Sequence, residues 1–269
     1  MSEPDLTESR WALAALVHLL GEDLRAEKLY RLALAMRQRL GQPPEDLARI
    51  ESNLALLVLE RGELEEAEEL YRRLLATRRE AFGDDDPDVS NSLRSLGTVL
   101  YLRGDFDAAE PLLREALELR RAEPDPSPTR VASALSSLGR VLHGQGRLEE
   151  AEQALTEALS LRREVLGDDH LHVALTRKDL ASLYFDLGEP ATAEVLWSQA
   201  LAVLRAVRPD GWEVADAESQ LGGRLLVQGR IAEAEACLRD SYETLRRLRG
   251  EKALRTVQAR QRLAELQKP

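Results

Sequence analysis

The sequence predicts an all-α protein, a right-handed superhelical solenoid of about six antiparallel helix pairs with a C-terminal capping helix. Three observations carry this expectation. An Ala-Glu pair recurs along all 269 residues at steps of 41 or 42. A glycine stands five residues before every one of those alanines. Aromatics make up only 4% of the chain, while Ala, Leu, Glu and Arg dominate, which is a helical composition.

The columns are regular. The Ala-Glu pairs begin at Ala26, Ala67, Ala109, Ala151, Ala193 and Ala234, and the glycines are Gly21, Gly62, Gly104, Gly146, Gly188 and Gly229. Twelve residues before each alanine stands Ala14, Ala55, Gly97, Gly139, Ala181 or Gly222, each preceded by a leucine. Four after it comes Tyr30, Tyr71, Leu113, Leu155, Trp197 or Leu238. The glycine between two helical runs closes a short turn at φ > 0. The small residues mark where the helices of one hairpin cross, since a larger side chain would force the axes apart. Each unit therefore reads as helix A, a glycine turn and helix B. One hairpin cannot bury its own apolar stripe, so the units must stack.

The expected repeats run over 6–46, 47–88, 89–130, 131–172, 173–213 and 214–255, as one domain spanning 1–269. Their A helices open on Leu6, Leu47, Val89, Val131, Val173 and Val214. Between the second and third repeats, Gly83-Asp84-Asp85-Asp86-Pro87-Asp88 reads as a helix C-cap followed by an N-cap. In the next joint, Ser127 is the expected N-cap and Pro128 the first helical residue. Residues 256–267 keep the register of a seventh helix A, with Leu263-Ala264 standing 42 after Leu221-Gly222. That polar helix is the expected cap.

These columns resemble the tetratricopeptide repeat, whose usual unit is about 34 residues. The early Trp column of that family is absent, and the proline ending helix B is replaced by Gln38, Arg79, Arg121, Arg163, Arg205 and Arg246. Without that breaker helix B runs on, which lengthens the unit. The linkers at Gly83 to Val89 and Gly167-Asp168-Asp169-His170-Leu171-His172-Val173 resemble the kinesin light chain subtype, with its glycine and His-Pro elements. The chain is similar to the bacterial proteins of that kind.

Little else in the sequence points to chemistry. No Gly-rich phosphate loop, nucleophile elbow or His-Glu-x-x-His motif occurs, so no enzyme, cofactor or metal site is expected. His170 and His172 read as part of a capped loop, and Cys237 as a small buried hydrophobe. On helix B, Glu68→Arg72 and Glu69→Arg73 are four-apart pairs on a solvated face. The net charge of −11 argues against a nucleic-acid partner, and no apolar run approaches the roughly 20 residues that cross a bilayer. The polar start MSEPDLTESR lacks a signal pattern, and the single cysteine needs no oxidising compartment. A cytoplasmic location is the expectation. Of the 37 cationic residues 33 are arginine, a bias in keeping with a bacterial, GC-rich coding sequence.

What remains is the inner surface. The resemblance implies that helix A lines a concave groove, with five positions facing it when the small residue of helix A counts as the eighth. In the middle repeats these include Arg94, Thr98 and Tyr101, then Ser136, Arg140 and His143, then Lys178, Ser182 and Phe185. Cations beside aromatics suit an extended partner segment with acidic and bulky apolar residues. The expected function is a non-enzymatic scaffold that binds a protein or peptide there, in one version a cofactor of a bacterial tubulin-like filament. A chaperone or secretion adaptor, or a peptide-sensing regulatory subunit, are the alternatives.

Overall fold

The computed structural model describes residues 12–17 and 23–266. They form thirteen helices and, among the described residues, no strand. Residues 12–17 belong to α1, followed by α2 (Asp23–Arg39), α3 (Pro44–Glu60), α4 (Leu64–Phe82), α5 (Pro87–Arg103) and α6 (Phe106–Ala122). Then come α7 (Pro128–Gly144), α8 (Leu148–Leu166), α9 (Leu171–Asp186), α10 (Pro190–Val207), α11 (Trp212–Val227), α12 (Ile231–Arg249) and α13 (Leu254–Glu265). Two compact units can be described, Met1–Glu123 and Pro124–Pro269, and each is taken by itself below. The division falls in the stretch Glu123-Pro124-Asp125-Pro126-Ser127-Pro128, whose prolines cannot continue α6.

In the first unit α3 packs on α4 and α5 on α6; in the second α7 packs on α8, α9 on α10 and α11 on α12. The turn glycines Gly62, Gly104, Gly146, Gly188 and Gly229 all have positive φ, as the hairpin reading requires. Gly21 lies outside the described residues. The alanines of the six Ala-Glu pairs are fully buried, and so are Tyr30, Leu113, Leu155, Trp197 and Leu238 within 1%. Leu13, the first of the leucine column, is 43% exposed, whereas Leu54, Leu96, Leu138 and Leu180 are buried.

The linker elements cap their helices as the sequence suggested, with one exception. Asp86 accepts from Asp88 N at 2.7 Å, and His170 Nδ1 accepts from His172 N at 3.1 Å, each closing the N-terminus of the following helix. His170 is thus a cap, as the loop reading expected. Ser127 does stand at the N-cap with Pro128 next, but its hydroxyl bonds Thr129 Oγ1 at 3.2 Å and caps no backbone N–H.

Two sets of polar contacts join neighbouring repeats. The glutamate of the Ala-Glu pair is the first: Glu27 pairs with Arg61, Glu68 with Arg103, Glu152 with Tyr184 at 2.5 Å and Glu194 with Arg230 at 2.5 Å. Each partner sits near the glycine turn of the next repeat. The bond to Glu152, with help from burial, pushes the Tyr184 hydroxyl up to about 12.

The second set is a buried arginine eleven residues after the alanine, a column that sequence reasoning passed over. Arg37, Arg78, Arg120 and Arg162 are all under 9% exposed. Arg78 donates to Asp88 O at 3.2 Å and Ser92 Oγ at 2.7 Å on α5, and Arg162 to His172 O and Thr176 Oγ1 on α9. Arg120, followed by the Pro-rich stretch, instead bonds Pro87 O and Asn91 Oδ1 on α5 and pairs with Glu123. In the last two repeats the column becomes Leu204 and Leu245, both fully buried. At the matching position of the following repeat stand Ser92 and Thr176 after Arg78 and Arg162 and Ala217 and Ala259 after Leu204 and Leu245, while Arg37 is followed by the apolar Ile50. The joint is thus built either as a hydrogen-bonded cation or as an apolar plug. Replacing Arg162→Leu together with Thr176→Ala should convert one form into the other and leave stability within about 1 kcal/mol of the parent. Arg162→Leu alone should lose more, because it leaves the hydroxyl of the fully buried Thr176 against an apolar side chain with its bond from Arg162 gone. Urea midpoints for both variants check this.

On helix B, Glu68 and Arg72 pair at 2.7 Å as expected. Arg73 does not pair with Glu69; it reaches Glu51 of α3 at 3.3 Å. Glu51 is buried, so it draws the nearest cation inward. Burial raises its carboxyl, and Arg73 partly offsets the rise.

Candidate functional site

In the second unit successive A helices lie side by side, with α7 touching α9 and α11 touching α13. Their shared face carries a line of polar side chains that the hairpin crossings do not use. His143 on α7 meets Asp186 on α9, with Nε2 to Oδ2 at 2.8 Å. Asp186 in turn receives both terminal nitrogens of Arg224 on α11, at 2.7 and 2.9 Å. The Arg224 guanidinium also lies over the Phe185 ring, 5.1 Å from its centre. Phe185 meets Trp197 edge-on at 6.4 Å.

A second line runs deeper. Lys178 on α9 is only 7% exposed, and its ammonium bonds Asp216 Oδ2 on α11 at 3.1 Å. Gln220 donates to the same oxygen at 2.8 Å, while Arg255 of α13 stands 3.7 Å from Oδ1. Burial pushes the Asp216 carboxyl up, but Arg255, Lys178 and Arg262 together outweigh it and hold the group well below the usual carboxylate range.

The nine residues expected in the groove therefore divide. In the second unit Arg140, His143, Ser182 and Phe185 are half-buried on the A-helix face. The structure brings His143 and Phe185 together through Asp186 and Arg224. Lys178 belongs elsewhere: its charge is spent on Asp216, so it does not stand open as a cation. Ser136 is 7% exposed, with its hydroxyl buried and without a hydrogen-bond partner. Ser182 turns its hydroxyl to Lys178 O of its own helix at 3.3 Å. In the first unit Arg94, Thr98 and Tyr101 are half-buried on α5. Thr98 bonds Arg94 O at 2.9 Å, and the Tyr101 ring packs 5.8 Å from that of Phe106.

Asp186, Arg224, Asp216, Arg255 and Arg262 were missed. Asp186 and Asp216 do occupy groove positions of the repeat, five after and six before the small residue of their helices, so the acids were there to be counted.

Shallow clefts also lie between neighbouring B helices. One of about 430 Å³ is lined by Trp197, Arg205, Leu225 and Cys237, and another of about 500 Å³ by Arg79, Leu96, Leu100 and Pro111 at matching repeat positions. Cys237 is half-buried, and burial pushes its thiol up, consistent with a packing role. Among the described residues, no group of three or more His, Cys, Asp or Glu converges as a metal site, and no helix is long and apolar enough to cross a membrane.

The fold has solved relatives. The nearly identical kinesin light chain TPR-like repeats of Podosopora anserina share 20% identity at a TM-score of 0.62, over 78% of this chain and 99% of theirs. BtubC (BKLC) from P. vanneervenii shares 24% identity at a TM-score of 0.56, over 91% of this chain and 92% of its own. The Rap conjugation gene regulator of plasmid pLS20, solved with the Phr* peptide, shares 13% identity at a TM-score of 0.67, over 94% and 72%. No curated protein matches the sequence. The tetratricopeptide repeat model matches residues 46–122 and 130–206, more than half of the chain, and the protein therefore belongs to the tetratricopeptide repeat family.

Proposed function

We propose that the protein is a non-enzymatic, cytoplasmic scaffold that holds a partner protein or peptide on the A-helix face. The observation that carries this is the set of half-buried Arg140, His143, Phe185 and Arg224 on successive A helices, none of them needed at a hairpin crossing. Their chemistry, guanidinium beside aromatic, suits a segment bearing acidic and bulky apolar residues. Two neighbours of like fold support the reading. The Rap regulator holds the Phr* peptide, which favours a peptide-sensing version, and BtubC shares the fold; a cofactor of a bacterial tubulin-like filament is another version of the same scaffold. A chaperone or secretion adaptor would present the same face.

The test is charge reversal. Arg94→Glu with Arg140→Glu, one substitution in each unit, should weaken capture of the native partner and slow its association, with the helical circular dichroism unchanged. Raising salt should weaken the parent complex as well, since exposed charges are screened within about 8–10 Å. Reversal of Arg72, Arg73 and Arg114 on the B helices should matter little. Equal losses from both sets would deny the A-helix face a special role.

A further inference from the structure

The A helices are capped unequally. At the starts of α3, α7, α11 and α13 stand Pro43, Ser127, Gly211 and Ala253, and none of their side chains caps a backbone N–H. Two starts do have a side-chain cap, Asp86 for α5 and His170 for α9. The two acceptors differ in kind. A carboxyl group accepts in either protonation state, whereas an imidazole has one accepting nitrogen and loses it with a second proton. His170 accepts on Nδ1, so its ring proton sits on Nε2. The carbonyl of His170 also receives Val173 N at 3.0 Å and Ala174 N at 3.1 Å, so the first turn of α9 hangs on this one residue.

The surroundings oppose added positive charge. The His172 ring lies 5.3 Å from the His170 ring, tilted by 35°. His172 is exposed as a residue, yet partial cover of its ring, then the charges of Arg162, His170 and Arg208, push its imidazole below the usual range. Its contribution to stability is therefore present above about pH 6.5 and is lost as pH falls from there. The neighbouring acids are largely engaged. Asp168 pairs with Arg163 of α8 at 2.9 Å and with Arg177 of α9, and Glu213 pairs with Arg208 at 2.6 Å, while Asp169 is exposed. A cation at His170 would also stand at the positive end of the α9 dipole. The turn matters beyond its own helix, because His172 O accepts from the buried Arg162 of α8 at 3.4 Å and from Thr176 Oγ1 at 2.8 Å.

We propose that the α8–α9 joint is an acid-released latch, in which a proton on His170 Nδ1 removes the cap of α9 and the first turn of that helix opens away from Arg162. Nδ1 changes from acceptor to donor, and the His172 N–H turns to water. A second proton, on His172, places two like charges side by side and adds to the release. The Asp86 cap of α5 has no such switch, since its acceptor survives protonation.

Amide hydrogen exchange of the full chain, read by mass spectrometry at about pH 7.5 and about pH 5.5 and corrected for intrinsic rates, tests the latch. Protection over residues 171–176 should fall about fivefold at the lower pH, the loss expected for one N-cap, while residues 87–92 behind Asp86 keep theirs. His170→Asn supplies a cap that does not titrate and should stay protected at both values. His170→Ala should be poorly protected at both. Urea midpoints at about pH 7.5 establish that the variants fold. Imidazole nitrogen NMR of the parent gives an independent reading, in which His170 Nδ1 should gain its proton over the same interval as the protection is lost. Equal protection at the two pH values overturns the latch, and so does an acid loss that persists in His170→Asn. A matching fall over residues 87–92 would spread the sensitivity through the fold and overturn it too.

Discussion

Asp216→Ala should be the most damaging polar substitution in the second unit, costing about 3–5 kcal/mol. The reason is what it leaves behind. Lys178 is 7% exposed, its ammonium is satisfied by Asp216 at 3.1 Å, and the next carboxylate, Asp179, lies at 3.9 Å. Removing the acid strands a buried cation beside Arg255 and Arg262, and like-charge repulsion adds to the desolvation cost. Lys178→Met in the same background should recover a large part of the loss, because the uncompensated charge goes with it. A double-mutant cycle from urea unfolding measures the coupling. The pH dependence has a fixed sign. The folded Asp216 carboxyl lies below its unfolded value, so its contribution is present above about pH 4 and is lost as pH falls from there towards the folded value. Asp216→Ala should therefore show a shallower loss of stability in that acid window. A loss under about 1 kcal/mol, or an unchanged acid slope, would mean that the pair is as weak as an exposed salt bridge.

Much of this fold was legible because a repeat shows each steric requirement six times. The turn glycines, the buried alanines and the large apolar column of helix B all follow from the spacing, and among the described residues each stands where the spacing put it. The site was less legible for a physical reason. Lys178 and Arg140 occupy neighbouring groove positions and look alike as charges, yet one is buried against Asp216 and the other is half-exposed. Lys178 is buried because the next A helix offers Asp216 at the matching height. Spacing within one repeat does not contain that information; a comparison between repeats does. The arginine column at Arg37, Arg78, Arg120 and Arg162 was hidden differently. A charged residue in helix B reads as solvated, and it is backbone carbonyls and polar side chains of a neighbouring A helix that make its burial tolerable.

Gly139→Val should be the most damaging change at a hairpin crossing, through overpacking rather than lost contacts. A Cβ added to Gly139 would sit 2.7 Å from Leu155 Cγ and 3.4 Å from the Ala151 carbonyl oxygen. Gly97 faces Leu113 and Gly222 faces Leu238 in the same way, at 2.7 and 2.8 Å. The other three repeats solve the crossing differently: Ala14, Ala55 and Ala181 stand in the pairs whose second member is Tyr30, Tyr71 and Trp197. Glycine thus goes with leucine and alanine with an aromatic. The branch of leucine lies at Cγ, close to its own backbone, and leaves no room for a methyl group opposite. A flat ring spreads its bulk further out and leaves that room. Gly139→Ala alone should gain up to about 1 kcal/mol of helix propensity and lose more to the clash, for a net cost of about 1–2 kcal/mol. Gly139→Val, with a second branch forced into the same space, should cost about 3 kcal/mol. Gly139→Ala combined with Leu155→Tyr copies the second repeat and should recover most of the loss, although Leu155→Tyr alone leaves the glycine unfilled. Thermal and urea midpoints of the four proteins decide the matter. If the alanine and tyrosine changes simply add, the two positions do not share the crossing, and the pairing of small and large residues along this chain has another cause.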